Sequence, residues 1–189
     1  MRDADTGPPN PYAPPVAAVA DLVDGDPSVE TPFFAVSLRK LSIMSVCTFG
    51  LYEFFWFFSH WAIIRRRDRR VVPLARAFFA VLFCYPLMSH VRKFGPEQAG
   101  LAPARLYAGL CTTGWILFTL TQRLPDPYWL LTFVAFVFLL PVQRRVNEIN
   151  AAVAPGHYPN DRFTPLNWIG IVLGGSLLVL MTLDLFLPE

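Results

Sequence analysis

Residues 41–64 read LSIMSVCTFGLYEFFWFFSHWAII, and the fold follows from how this stretch is understood. It carries one carboxylate, Glu53, and stops at Arg65-Arg66-Arg67-Asp68-Arg69-Arg70. Apolar side chains over that length match the hydrocarbon of a bilayer, and guanidinium groups at the end of such a run collect at the cytoplasmic interface. The pattern predicts an all-α integral membrane protein.

Composition agrees. Hydrophobic residues make up 54% of the 189-residue chain and charged residues 16%, against about 25% charged in an ordinary soluble domain. The charges are also clustered, leaving long runs with none. The net charge of +2 conceals a division: residues 1–31 hold Arg2 against Asp3, Asp5, Asp21, Asp24, Asp26 and Glu30, a balance of −5, so the remainder carries +7. Membrane topology accounts for that excess, since nucleic-acid binding needs a basic face on a soluble module and none is visible. Cys47, Cys84 and Cys111 each sit in an apolar run, and no two form a C-x-x-C pair. Neither a disulfide framework nor a zinc site is expected, and the thiols read as small hydrophobes. No metal and no cofactor is expected.

Residues 1–31 are rich in Pro, Ala and Asp and too poor in apolar side chains to offset the entropy of ordering, which predicts a disordered acidic tail. Its NPYAPP stretch (residues 10–15) reads either as a docking motif for an aromatic groove or as a spacer. The tail lacks a basic segment followed by an apolar one, so insertion is expected to be directed by the internal segments. Residues 32–187 are expected to form one helical membrane domain.

Within that domain, 33–64 is interrupted by Thr48-Phe49-Gly50, with a helix expected from Phe33 to Val46 that keeps Arg39 and Lys40 on its wet side. Either one span or an elbow at Gly50 fits. Residues 74–93 contain only 15 uncharged positions between Arg76 and Arg92, with Pro86 inside. That is about 22 Å of helix against about 30 Å of hydrocarbon, and the proline is expected to kink it. Residues 106–122 and 127–143 read as a hairpin of two spans joined at Leu124-Pro125-Asp126-Pro127, the second running on through Arg144, Asn147, Glu148 and Asn150, with Arg144 and Glu148 paired at i,i+4. A third span, 164–186, is N-capped by Thr164 with Pro165 at its first position.

Charge distribution chooses among the topologies. If 74–93 crosses, the basic residues of the loops divide seven against six. If it dips and returns, twelve share one side and Arg123 alone faces the other. The second arrangement satisfies the positive-inside rule. Three transmembrane helices are therefore expected with two re-entrant or interfacial segments, 33–64 and 74–93, and a cytoplasmic amino terminus. Five spans is the rival.

Few residues carry chemistry. Glu53 lies deep in its apolar run, where a charge costs at least about 2.5–3.5 kcal/mol. It must be neutralised by a proton, paired, or turned toward a polar cavity. It reads as a proton or cation site, or as the partner of a nearby arginine. His60 shares its helical face and is expected near the arginine block, at the interface. Asn147, Glu148, Asn150 and Asn167 flank the 143–165 loop and are expected to form a polar cluster closing one end, as a structural network or a ligand pocket. Gly170, Gly174 and Gly175 let a helix approach closely, within the chain or from a second copy. Arg65, Arg66, Arg67, Arg69 and Arg70 anchor the topology and face anionic lipid. Phosphate-cradling glycine loops, nucleophile motifs and paired catalytic carboxylates are not visible.

Thr48-x-Gly50-x-Tyr52 followed by Trp56 and a basic run resembles small uncharacterised bacterial inner-membrane proteins of the domain-of-unknown-function type. The stretches Arg76–Ala80 with Phe83-Cys84-Tyr85, and Leu124–Trp129, are similar to pieces of the same proteins, and the likeness covers about residues 33–185. It implies a multi-pass protein of the bacterial inner membrane and carries no activity or site residues with it. The expected role is that of a non-enzymatic accessory or scaffold subunit, with the bilayer and a homodimeric or other membrane-protein contact as partners. The other reading is a small transporter or channel that uses Glu53.

Overall fold

The computed structural model describes residues 28–103 and 106–184, and these are helical without a β-strand. Most of the tail, with its NPYAPP stretch, and the last residues of the expected 164–186 run lie outside the described residues.

The first helix, α1, spans Leu38–Cys47 rather than starting at Phe33. The reason is local: the Ser37 hydroxyl accepts the Lys40 N–H at 3.2 Å and caps the helix, which leaves Phe33–Val36 extended. The chain turns at Phe49 (φ 51°) and Gly50 (φ 80°), both left-handed, a conformation that glycine adopts without steric cost. Helix α2, Leu51–Arg67, then runs back antiparallel. Its end returns to the start of the segment, where Arg66 meets Glu30 at 2.8 Å and the Arg67 guanidinium donates to the Pro32 carbonyl. The segment is therefore an elbow with both ends together.

A second elbow follows. Helix α3, Pro73–Phe78, carries Arg76 over the Trp61 ring (4.4 Å), and α4, Ala80–Gln98, brings Phe94 back under the Arg67 guanidinium (5.0 Å). The break falls at Phe79 and not at Pro86, where a kink was expected. Helix α5, Ala108–Leu120, descends beside α4, with the Thr112 hydroxyl on Met88 Sδ at 3.2 Å. Its 13 residues give about 20 Å, short of a bilayer's about 30 Å of hydrocarbon.

After the Leu124–Pro127 turn the chain returns as a 3-10 helix, Tyr128–Phe138, continued by α6, Leu140–Val153. At about 2.0 and 1.5 Å per residue this rod is about 43 Å long, so its polar end stands clear of any hydrocarbon layer. Phe138 packs on Gly114, where a Cβ would collide with its ring. Helix α7, Pro165–Asp184, lies on the outside with no buried residue. Its inner contact is α1: Gly174 sits against the Cys47 carbonyl, and Gly170 faces Thr48 and Met44 at 3.6–3.8 Å. Two helices, Tyr128–Val153 and Pro165–Asp184, are long and apolar enough to cross a membrane.

One end of the molecule thus gathers the arginine block, residues 30–36, the end of α4 and the 150–162 loop. The other gathers the Gly50 elbow, the start of α4 and the 121–129 turn.

Candidate functional site

Between the Gly50 elbow, the α3–α4 break, the end of α5 and the start of the Tyr128 helix lies a cavity of about 700 Å³. Glu53 is part of its wall. The residue sits in the first turn of α2, on the face that also buries Trp56, Phe57 and His60. Its Oε2 accepts the Trp115 indole N–H at 2.6 Å, and the Trp115 ring lies 4.8 Å from Phe57. No lysine or arginine lines the cavity among the described residues, so the expected pairing of Glu53 with an arginine is not what the fold builds. Ser45 and Thr119 also line it, their hydroxyl oxygens buried and without a hydrogen-bond partner among the described residues. Apart from Gln122 and Thr132, the rest of the wall is apolar and largely aromatic. Leu51 and Phe78 at the rim are 72% and 73% exposed, so the cavity meets an apolar outer surface of the molecule.

His60 is not interfacial. It is fully buried, 4.3 Å from the Trp56 ring and about 6 Å from Phe33 and Phe34. The reason is its helical register, one turn beyond Trp56 on the inward face of α2. Neither ring nitrogen has a hydrogen-bond partner among the described residues.

A separate polar system lies at the arginine end. The extended residues 33–36 present four carbonyls, and side-chain amides meet each one: Asn150 bonds Phe33 O (3.1 Å), Gln143 bonds Phe34 O (3.2 Å), Asn160 bonds Ala35 O (3.0 Å) and Asn147 bonds Val36 O (3.0 Å). Asn150 also accepts the Phe33 N–H at 3.3 Å. Gln143, Asn147 and Asn150 fall at i, i+4 and i+7, one face of α6. Gln143 additionally donates to Asn147 Oδ1 (2.8 Å) and accepts the Trp56 indole N–H (2.6 Å). Buried backbone without a helix must find partners from side chains, and here it does so completely at its carbonyls. Lys40 belongs to this system: it is 3% exposed, not on a wet face, and its Nζ donates to Asn160 Oδ1 (2.8 Å) and the Arg162 carbonyl (2.7 Å).

The expected polar cluster is therefore divided. Asn147 and Asn150 belong to the amide ladder. Glu148 pairs with buried Arg145 at 2.9 Å and more loosely with exposed Arg144 at 3.6 Å. Arg145 in turn donates to the Ala102 carbonyl at 2.7 Å and lies against Gly95. Asn167 joins none of these. It completes a reciprocal cap with Thr164, its Oδ1 accepting the Thr164 N–H at 3.0 Å and its own N–H meeting Thr164 Oγ1 at 3.3 Å. Arg65, Arg69 and Arg70 are exposed at the mouth of the first elbow.

Sequence reasoning missed Gln143, Asn160, Trp56 and Trp115. The only available signal was the i, i+4, i+7 spacing of amides in Gln143-x-x-x-Asn147-x-x-Asn150, on a helix otherwise continuous with an apolar rod.

No protein-family model, curated protein or solved structure matches this chain.

Proposed function

We propose that the chain is a non-enzymatic, multi-pass membrane protein whose working element is the Glu53 cavity, a binding or carrier site for a small solute that enters from the bilayer. In this reading Tyr128–Val153 and α7 cross the membrane, α5 crosses with the Thr121–Arg123 turn bringing its length to about 26 Å, and the two elbows enter and leave on the side of the arginine block. That side is the cytoplasmic face of a bacterial inner membrane, with the amino-terminal tail on it. The return of both elbows to one end supports this arrangement, as does the twelve-to-one division of basic residues.

The observation that carries the functional reading is the setting of Glu53. A carboxylate held by an indole N–H, with no basic residue beside it, borders about 700 Å³ of space. Cavities of a few hundred Å³ or more with an apolar wall and few polar groups suit small ligands. An ionisable side chain within an apolar span that faces a cavity is, by default, a candidate functional group. The test is extraction directly into lipid nanodiscs, followed by mass spectrometry of what stays bound. The wild type should retain a small molecule that is lost in Glu53→Gln and in the cavity-filling Thr132→Phe. Identical bound content in all three would contradict the reading.

A scaffold role is the second reading, and α7 favours it. Held mainly through the Gly170–Gly174 face, α7 leaves Leu166, Leu173 and Leu180 between 64% and 74% exposed. Co-purification of a membrane partner in mild detergent, abolished by Leu173→Lys, would support it.

A further inference from the structure

The wall of the cavity also limits what can occupy it. Its polar lining residues are Glu53, Ser45, Thr119, Thr132 and Gln122, and the Ser45 and Thr119 hydroxyl oxygens are themselves buried. A metal ion would need several more oxygen ligands, since hard cations take six or more and the described residues contain no cluster of three or more acidic, histidine or cysteine side chains. A hydrated inorganic cation would have to shed water against an apolar wall. An anion would face the Glu53 charge with no lysine or arginine to balance it. A neutral hydrocarbon would leave the Glu53 carboxylate with the Trp115 N–H as its partner and no charge to balance it.

An organic ammonium meets these limits. Its charge complements Glu53, and its apolar body fits the aromatic wall. That wall supplies rings as well: Trp115 at the carboxylate, and Phe49, Phe133 and Trp129 packed edge to face at 5.5–5.9 Å. Aromatic faces attract cations by about 0.5–2 kcal/mol when desolvated. The exposed apolar rim at Leu51 and Phe78 gives such a molecule a lateral path from the bilayer. The geometry points to a hydrophobic primary or secondary amine, bound as its ammonium with the nitrogen at Glu53 and the apolar portion toward Phe133. This assignment rests on the cavity being a solute site, as proposed above.

The test uses the full chain in nanodiscs and two probes of nearly equal shape, phenethylammonium and phenethyl alcohol, with empty nanodiscs as background in equilibrium dialysis. The wild type should bind the ammonium saturably and at least tenfold tighter than the alcohol. Glu53→Gln should bring the ammonium to the level of the alcohol, and Glu53→Asp should keep a preference for it. Phe49→Leu, which reshapes the apolar end beside Phe133 and leaves the carboxylate, should weaken both probes alike and preserve their ratio; Glu53→Asp supplies the carboxylate comparison if Glu53→Gln does not fold. Equal saturable binding of both probes, insensitive to these changes, would overturn the ammonium assignment and leave the cavity as a solute site. Saturable binding of neither would overturn the solute site itself.

Discussion

The Trp56–Gln143 contact joins the first elbow to the long α6 rod, and its removal has a calculable cost. Gln143 is fully buried and makes three bonds: it accepts from Trp56 at 2.6 Å, and donates to Phe34 O at 3.2 Å and to Asn147 at 2.8 Å. Gln143→Met keeps the length of the side chain and removes all three. The Trp56 indole N–H, on a residue with no exposed surface, is then orphaned at about 1–3 kcal/mol. The two other bonds add about 0.6 kcal/mol each, the average for side-chain bonds within membrane proteins. The expected loss is about 3 kcal/mol, read as a shift in the SDS-titrated unfolding curve in mixed micelles. Trp56→Phe should cost about 2–3 kcal/mol through lost ring volume and the same bond. Once Gln143 has become Met, part of that cost has already been incurred. The double variant should therefore be less destabilised than the sum of the singles by about 1–2 kcal/mol. Additivity within about 0.3 kcal/mol would refute the view that this bond couples the elbow to α6.

Other outcomes follow from single contacts. Gly174→Ala puts a methyl group into the Cys47 carbonyl and should cost about 1–3 kcal/mol in the same unfolding assay, whereas Gly175→Ala, with Cys47 Sγ 4.0 Å away, should be close to neutral. Thr164→Ala removes the α7 cap and should cost about 1 kcal/mol, with faster hydrogen exchange at the Asn167 amide. Glu53→Gln keeps an acceptor for Trp115 and should leave stability within about 0.5 kcal/mol, while Glu53→Leu orphans the indole N–H and should cost about 1–3 kcal/mol.

The helical class, the two long apolar helices and the Gly50 turn could be read in the sequence because their causes are local. A left-handed turn needs a residue such as Gly50, a helix start needs Ser or Thr at the cap with Pro behind it, and the arginine block marks where a segment must stop. What could not be read was decided by remote partners. Nothing near Phe33 says that it stays extended, since the amides that satisfy its neighbours lie more than 100 positions away on α6 and at Asn160. His60 and Lys40 were misplaced for the same reason: Lys40 follows Arg39 and His60 comes shortly before the arginine block, but the surfaces packed over them come from residues 33–36 and 160–162. Glu53 was legible as an anomaly. Its partner was not, because indole nitrogens such as that of Trp115 leave no mark in an apolar run.

The claim beneath all of this is that both elbows open toward the side of the arginine block and that the 124–127 turn faces the other side. Single cysteines at positions 98, 125 and 157 in a cysteine-free background, labelled in intact cells with an impermeant maleimide and again after permeabilisation, test it directly. Positions 98 and 157 should react only after the inner face is opened, and position 125 before. Labelling of 98 together with 125 from outside would mean that the second elbow crosses the membrane, and the arrangement described here would be wrong.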